Sequence, residues 1–197
     1  MKTKHFLFTS ALLMAVTLIS CKKDKSDSNN SNNNNNGGNG GNAQVSYTIN
    51  GGSFQNQLIS FNANPKSTGN GVDASSGWIK LYIDDAPSDD ADSKFALTLG
   101  FNKAGTGTAK VYDPITNATG NDKGAVVSFN LQLQQNGGSM VVGRSTDFPK
   151  TTPGTITITK FGPVGGTVEG TFEGTVMDIA GVKYTITGGH FSVTRTL

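Results

Sequence analysis

The stretch Val127-Ser-Phe-Asn-Leu-Gln-Leu-Gln134 decides the fold of this chain. Its apolar residues alternate strictly with polar ones, at positions Val127, Phe129, Leu131 and Leu133. Successive side chains of a strand point to opposite faces, so this alternation predicts a strand with one buried and one solvated face. The same period of two recurs over residues 94–101 and 167–176. These segments establish β structure as the main element.

Residues 44–197 are predicted to be β structure throughout. About ten strands are expected, near residues 44–49, 53–61, 77–84, 94–101, 108–112, 125–135, 139–146, 154–161, 167–178 and 182–196. Glycine-rich turns separate several of them, and short connections favour antiparallel neighbours. No stretch has the apolar period of 3.6 that indicates an amphipathic helix. The sequence therefore predicts an all-β fold, an antiparallel β-sandwich or small barrel of about ten strands.

The facing of individual side chains can be predicted for the strands with the clearest alternation. Phe129 and Phe172 fall on buried faces, whereas Thr171 falls on a solvated face. The pair Gly188-Gly189 interrupts the last predicted strand, and glycine inside a strand is typical of a bulge. We therefore expect the facing of the last strand to change at this pair.

The first 21 residues have the organisation of a secretory signal peptide. Two early lysines precede an apolar run over residues 6–19, and the segment closes with Leu18-Ile-Ser-Cys21. The run is shorter than the ~20 residues that a membrane-spanning helix needs. The closing box resembles the lipobox of bacterial lipoproteins, which implies a signal peptide over residues 1–20 and lipid attached to Cys21. The alternative is an ordinary secreted protein with a free thiol.

Residues 22–43 are predicted to form a disordered tether. A charged start is followed by an Asn/Ser/Gly tract over residues 28–42, with almost no apolar side chain to bury. Such a segment cannot offset the entropy of ordering. As a flexible coil it would reach roughly 25 Å. The remaining residues 44–197 are enough to build one hydrophobic core as a single β domain.

The end of the chain carries a family resemblance. The segments Val168-Glu-Gly-Thr-Phe-Glu-Gly-Thr-Val176 and Tyr184-Thr-Ile-Thr-Gly-Gly-His-Phe-Ser-Val-Thr-Arg195 resemble the closing strands of small β-domain lipoproteins of the Bacteroidetes type. The resemblance covers about the last 45 residues and the start of the tether at Cys21-Lys-Lys-Asp24. It implies an outer-membrane lipoprotein, periplasmic or surface-exposed, and brings no catalytic residues to this chain.

Charge and composition exclude several classes of protein. The formal net charge is +2, and removal of Lys2 and Lys4 with the signal peptide leaves equal numbers of basic and acidic residues. A neutral chain is not a nucleic-acid binder. With Cys21 as the only cysteine, the folded part has neither a disulfide nor a cysteine-type zinc site. His190 follows the strand alternation and is interpreted as an exposed strand residue.

The acidic residues indicate no catalytic pair and no cofactor. Glu169 and Glu173 lie on one face of one predicted strand, about 13–14 Å apart. Carboxylate pairs of glycoside hydrolases are ~5–9.5 Å apart. Calcium prefers several carboxylate oxygens, and a loop offers four weak candidates. These are Asp85, Asp89, Asp90 and Asp92. The loop lacks the glycine and the terminal glutamate of an EF-hand, so a solvated loop without metal is the favoured interpretation.

The segment Trp78–Asp84 is the clearest candidate for ligand binding. Its alternation directs one set of residues to the core and a second set to the opposite face, namely Trp78, Lys80, Tyr82 and Asp84. Two exposed aromatic rings would stack on a sugar or on a partner side chain, with the charged neighbours available for hydrogen bonds. The alternative is that a neighbouring strand, a second sheet or a loop covers the rings.

These observations predict a non-enzymatic, lipid-anchored domain of the cell envelope that binds a glycan or a protein. Two alternatives stay open: a structural or accessory subunit of an envelope complex, and a glycan-acting enzyme that uses aspartates. Exposed aromatic side chains favour binding, an apolar patch favours a subunit, and a deep cleft with converging aspartates favours an enzyme.

Overall fold

A computed structural model describes residues 43–63, 69–87, 92–134, 140–147 and 154–197. The predicted signal peptide, the lipidation site Cys21 and the tether up to residue 42 lie outside the described residues. Among the described residues, no helix has the length and apolar character needed to cross a bilayer.

Antiparallel strands make up most of the described chain, and the predicted all-β class is confirmed. The strands are β1 (Gln44–Gly51), β2 (Phe54–Asn62), β3 (Gly71–Asp73), β4 (Ile79–Asp84), β5 (Phe95–Phe101), β6 (Gly107–Lys110), β7 (Ser128–Gln134), β8 (Met140–Arg144), β9 (Thr155–Phe161), β10 (Thr167–Met177) and β11 (Lys183–Thr194). One turn of 3-10 helix spans Gly120–Asp122. Ten of the eleven strands match predicted ones; β3 was not predicted because three residues are too few to show an alternation.

The strands form one sheet that bends into two halves and curls into a half-barrel. Sheet I has the order β2-β1-β11-β10-β9-β6, and sheet II has the order β8-β7-β5-β4-β3. At one corner, Met177 of β10 pairs with Arg144 of β8. At the other corner, the N–H groups of Thr196 and Leu197 donate to the carbonyl of Val72 in β3, at 2.9 and 3.2 Å. The two corners bring the inner faces of both halves together around one core.

Phe172 of β10 is at the centre of that core. Its ring centroid is 5.3 Å from that of Phe129 in β7, 5.8 Å from Tyr47 in β1 and 6.5 Å from Phe191 in β11. The contact with Phe129 joins sheet I to sheet II. Both phenylalanines are buried and Thr171 is exposed, so the predicted facing of these strands is confirmed.

The space for the Phe172 ring comes from a glycine on the neighbouring strand. A Cβ placed on Gly189 would lie 2.2 Å from the carbonyl oxygen of Phe172 and 2.9 Å from its ring. Contacts this short do not occur, so no larger residue fits without moving the sheet. The aromatic cluster therefore depends on the absence of a side chain at this position.

A bulge in β11 lies at the predicted place. The pair Phe172↔Gly189 is followed by Gly174↔Ile186, so β11 holds one residue more than β10 in this interval. Gly188 has a φ of +60°, a left-handed conformation that suits glycine. The inward-facing residues change from even to odd numbers across the bulge, with Ile186 before it and Phe191 after it. The predicted change of facing at Gly188-Gly189 is confirmed.

Replacement of Phe172 by alanine should lower the free energy of unfolding by about 3–5 kcal/mol, because the ring leaves a cavity among three other aromatic rings. Replacement of its exposed neighbour, Thr171→Ala, should change the stability by only about 0.5 kcal/mol. Urea denaturation of the full chain measures both values. Equal losses for the two variants would contradict the facing of β10.

Candidate functional site

Trp78 lies on the outer face of sheet II but is not exposed. Only 6% of the residue is accessible. A Cβ placed on Gly100, in the adjacent strand, would lie 3.4 Å from the Trp78 ring and 3.7 Å from Cδ1 of Ile115, which is itself buried. Ile115 belongs to the connection between β6 and β7, so this connection covers the ring. The ligand-binding role considered for Trp78 needed an exposed ring and is therefore wrong, and of the two alternatives that the sequence left open, the covering loop is what the structure has.

Lys80 contacts both the Trp78 ring and the connection that covers it. Its Nζ lies 4.8 Å from the centroid of the Trp78 ring and forms an ion pair with the carboxylate of Asp122. Asp122 ends the 3-10 turn of the covering connection. An ion pair as exposed as this one adds little stability alone, so the burial of Trp78 and Ile115 provides most of the attachment. Lys80 thus holds the connection against the sheet, whereas an open lysine next to a ligand was expected.

Asp84 is also committed within the fold. It is only 6% exposed, and its Oδ1 accepts a hydrogen bond of 3.1 Å from the N–H of Ala86. Burial, and then the hydrogen bond to Asp84 and its charge, raise the pKa of Tyr82 to about 12. The Tyr82 hydroxyl is therefore a protonated donor at neutral pH, directed to Asp84. The expected ligand-binding carboxylate at this position instead orients the tyrosine.

Asp85, the first of the four candidate calcium ligands, has a structural role. Oδ1 of Asp85 accepts hydrogen bonds from the N–H groups of Lys94 and Phe95, at 2.7 and 2.8 Å, across the β4–β5 connection. Asp92 is exposed, and Asp89 and Asp90 lie outside the described residues. Within the described ranges, no group of three or more His, Cys, Asp or Glu side chains is arranged to hold a metal ion.

Tyr82 differs from its three predicted partners, because the residue is 38% exposed and lines a depression on the outer face of sheet II. We call this depression the Tyr82 groove. Its volume is about 200 Å³. It is lined by Tyr82, Ala96, Thr98, Asn130, Leu131, Gln132 and Arg144.

The polar residues of the Tyr82 groove form one row across four strands. Tyr82 pairs with Thr98, Thr98 with Asn130, and Asn130 with Arg144. Paired residues of neighbouring strands lie on the same face, and strands are ~4.8 Å apart, so the row is about 14 Å long. The groove thus has an aromatic ring at one end and a guanidinium group at the other.

Two polar groups of the row lack partners. Oδ1 of Asn130 is shielded from solvent and has no hydrogen-bond partner among the described residues. Arg144 is exposed, and within the described part of the chain its guanidinium takes part in no ion pair. By contrast, Gln132 is fixed because its Nε2 donates to the carbonyl and the hydroxyl oxygens of Ser93, at 3.2 and 3.0 Å. Shielded polar atoms of Tyr47, Asn70 and Trp78 also lack partners among the described residues, but of these four residues Asn130 is the one that lines the groove.

A second depression lies on the outer face of sheet I, where the bulge leaves two positions without side chains. This Gly188 notch has a volume of about 360 Å³. It is lined by Thr155, Thr157, Thr171, Phe172, Glu173, Gly188, Gly189 and His190. The Phe172 ring is buried below the notch, and Glu173 accepts a hydrogen bond of 3.2 Å from Thr155. The notch therefore presents hydroxyl groups, one carboxylate and the exposed His190, but no aromatic face.

The sequence matches no protein-family model, and neither a curated protein nor a solved structure matches it.

The sequence identified one residue of the groove and missed the others. Tyr82 was selected as an outward-facing aromatic residue, whereas Thr98, Asn130 and Arg144 are on three other strands. Asn130 does occupy a polar position in the alternation of β7, which marked it as outward-facing. The register that places it between Thr98 and Arg144 has no signal in a single sequence.

Substitution Trp78→Ala should destabilise the domain by about 3–5 kcal/mol, because it removes a large ring between sheet II and the covering connection. The unmodified chain should have a blue-shifted tryptophan emission that soluble quenchers barely reduce. Fluorescence and urea denaturation check both expectations. Tyr82→Ala serves as the control and should cost far less, and emission typical of a solvated tryptophan would contradict the observed burial.

Proposed function

We propose that this chain is a lipid-anchored binding domain of the bacterial cell envelope and that it holds a glycan in the Tyr82 groove. The observation that carries the proposal is the cross-strand row, in which a half-exposed tyrosine ring is aligned with polar groups of three further strands. Sugars have both an apolar ring face and many hydroxyl groups, and the row offers a partner for each.

The shape of the groove favours an extended ligand over an enclosed one. Its volume of about 200 Å³ is below the range of roughly 300–1,000 Å³ that is usual for sites enclosing small molecules and cofactors. A shallow groove across a rigid sheet suits one or two units of a longer polymer. The strands that form it keep the side chains in fixed positions, because their alternate residues are buried in the core.

The chemistry of the groove favours binding over hydrolysis. The described residues that line it include no carboxylate and no histidine, the groups that supply general acid and base catalysis. The nearby Asp84 is buried and is hydrogen-bonded to Ala86. For an accessory subunit, an apolar patch would be needed. The large exposed apolar side chains of the described residues are instead spread over β2, two turns and the chain end, at Leu58, Val164, Ile179, Val182 and Leu197.

The proposed cellular location is inferred from the residues that precede the β domain. The box Leu18-Ile-Ser-Cys21 supports lipidation of Cys21, and the polar residues that follow it would separate the domain from the membrane. We infer an outer-membrane location, with the domain in the periplasm or on the cell surface. Two or more acyl chains on one cysteine would hold the protein firmly.

Substitution Cys21→Ser should release the protein from the membrane, since it removes the only lipidation site. Cell fractionation and immunoblotting in a lipoprotein-processing bacterium measure the distribution. Ser20→Ala is a suitable control, because a small residue before the cysteine preserves the box. A Cys21→Ser protein that stays with the membrane would contradict the proposed anchor.

Substitution Tyr82→Ala should weaken glycan binding about tenfold, the effect of losing an aromatic stacking contact. Tyr82→Phe should keep most of the affinity, because the ring is retained. The full chain in detergent is applied to an array of bacterial and plant polysaccharides, and the affinity for the best ligand is then measured by calorimetry.

Thr187→Ala, on the outer face of sheet I, controls for unspecific effects of surface substitutions. Binding that is unaffected by Tyr82→Ala would exclude the Tyr82 groove and direct attention to the Gly188 notch. Failure of the unmodified chain to bind any polysaccharide would contradict the proposed function.

A further inference from the structure

We propose that the Tyr82 groove recognises an acidic glycan through a sugar carboxylate, as found in polymers of uronic acids. This inference rests on the proposed glycan-binding function and adds the class of sugar. The juxtaposition of an unpaired guanidinium and an unpartnered buried amide oxygen in one cross-strand pair, Asn130↔Arg144, carries it.

Among the described residues that line the groove, Arg144 is the one that carries a charge. Its guanidinium is planar and has five N–H donors, which match the two oxygens of a carboxylate. Its cross-strand neighbours are the uncharged Asn130 and Met177. The groove therefore offers an exposed cation that the described fold leaves without a carboxylate.

The acidic residue next to Met177 does not serve as the missing partner. Oδ1 of Asp178 accepts the N–H groups of Ala180 and Val182 at 2.9 and 2.8 Å, and its Oδ2 accepts the hydroxyl of Tyr184 at 2.9 Å. These hydrogen bonds lower the pKa of Asp178 although partial burial alone would raise it. The carboxylate is thus committed to the β10–β11 turn.

Asn130 specifies a second feature of the ligand. Its buried Oδ1 needs a donor, because a shielded acceptor without one has lost its hydrogen bond to water and gained none in return. A ligand that meets both residues must bring a hydrogen-bond donor beside a pair of acceptor oxygens. A uronic acid has ring hydroxyls and a carboxylate on one unit, whereas a neutral sugar lacks the charge that Arg144 would bind.

The other end of the row fits the same class of ligand. Tyr82 is about 14 Å from Arg144 across the strands, so one sugar ring stacks on the tyrosine while the carboxylate of a nearby unit reaches the guanidinium. An acidic peptide would satisfy Arg144 as well. However, the two apolar residues described in the lining, Ala96 and Leu131, are buried and offer little surface to a peptide side chain. The geometry therefore favours an acidic polysaccharide over a peptide.

Calorimetry of the full chain in detergent tests the inference with four probes at 0.15 M salt. These are oligogalacturonate, its methyl ester, alginate oligomers and poly-L-glutamate. Oligogalacturonate or the alginate oligomers should bind, and Arg144→Gln should weaken that binding by about 10- to 150-fold, the effect of losing a charge-assisted hydrogen bond. The methyl ester should bind the unmodified chain about as weakly as the free acid binds Arg144→Gln.

Two further variants separate specific contacts from general charge effects. Lys110→Gln removes the same charge from exposed β6 and should leave the affinity within about twofold, since charges beyond ~8 Å are largely screened at this salt concentration. Asn130→Ala should weaken binding of the acidic oligomer and raise the stability of the free protein or leave it unchanged, because the unpartnered oxygen is removed. Arg144→Gln is at an exposed position and should keep the melting temperature.

The outcomes separate this inference from the proposed function. Equal binding of acid and methyl ester, lost in Tyr82→Ala but kept in Arg144→Gln, would leave the glycan function standing and overturn the acidic specificity. Lack of binding by both uronate probes overturns it as well, and if the polysaccharide array is also negative, the proposed function fails too. Equal binding of poly-L-glutamate and the uronates would show a general carboxylate site and overturn the assignment to sugars.

Discussion

The packing of the Phe172 ring against Phe129 is the constraint on which the rest of the structure depends. At a centroid distance of 5.3 Å it joins the inner faces of sheet I and sheet II at the centre of the core, and the stacked pair Phe61–Phe95, at 5.8 Å, joins them a second time. The ring fits only because Gly189 has no side chain, and the bulge beside Gly189 follows from accommodating this glycine pair in a long strand. The aromatic core, the bulge and the Gly188 notch thus have one common cause.

The same packing fixes the outer face of sheet II. Because side chains alternate along a strand, burial of Phe129 and Leu131 leaves Asn130 only the outward direction. Burial of Leu81 and Ile83 does the same for Tyr82. A one-residue slip of any strand would move apolar residues into water, so the cross-strand row is held in register by the core. The core therefore keeps the groove rigid, and contacts between the side chains that line the groove are not needed for this.

The sequence and the structure agree where a period-two pattern exists and differ where it does not. Alternation was sufficient to predict the facing of Phe129 and Phe172, and paired glycines were sufficient to predict the bulge. The connection that buries Trp78 has no such pattern, and its attachment through Ile115 and Asp122 depends on contacts distant in sequence. Alternation gives the face of a side chain but not what lies above it, which is why the sequence alone leaves the exposure of Trp78 undecided.

The electrostatics of the outer face explain why we place the proposed ligand site at the Arg144 end of the row. Lys80 is neutralised by Asp122, and Asp84 is buried against the N–H of Ala86 and the Tyr82 hydroxyl. Trp78 is buried as well, so three of the four residues that the sequence selects for ligand binding are engaged within the fold. What they leave is an oriented tyrosine ring and, three strands away, an unpaired guanidinium. In our proposal, Arg144 attracts anions because its guanidinium is exposed and unpaired within the described residues, and the alignment with Tyr82 favours anions that also offer a ring to stack.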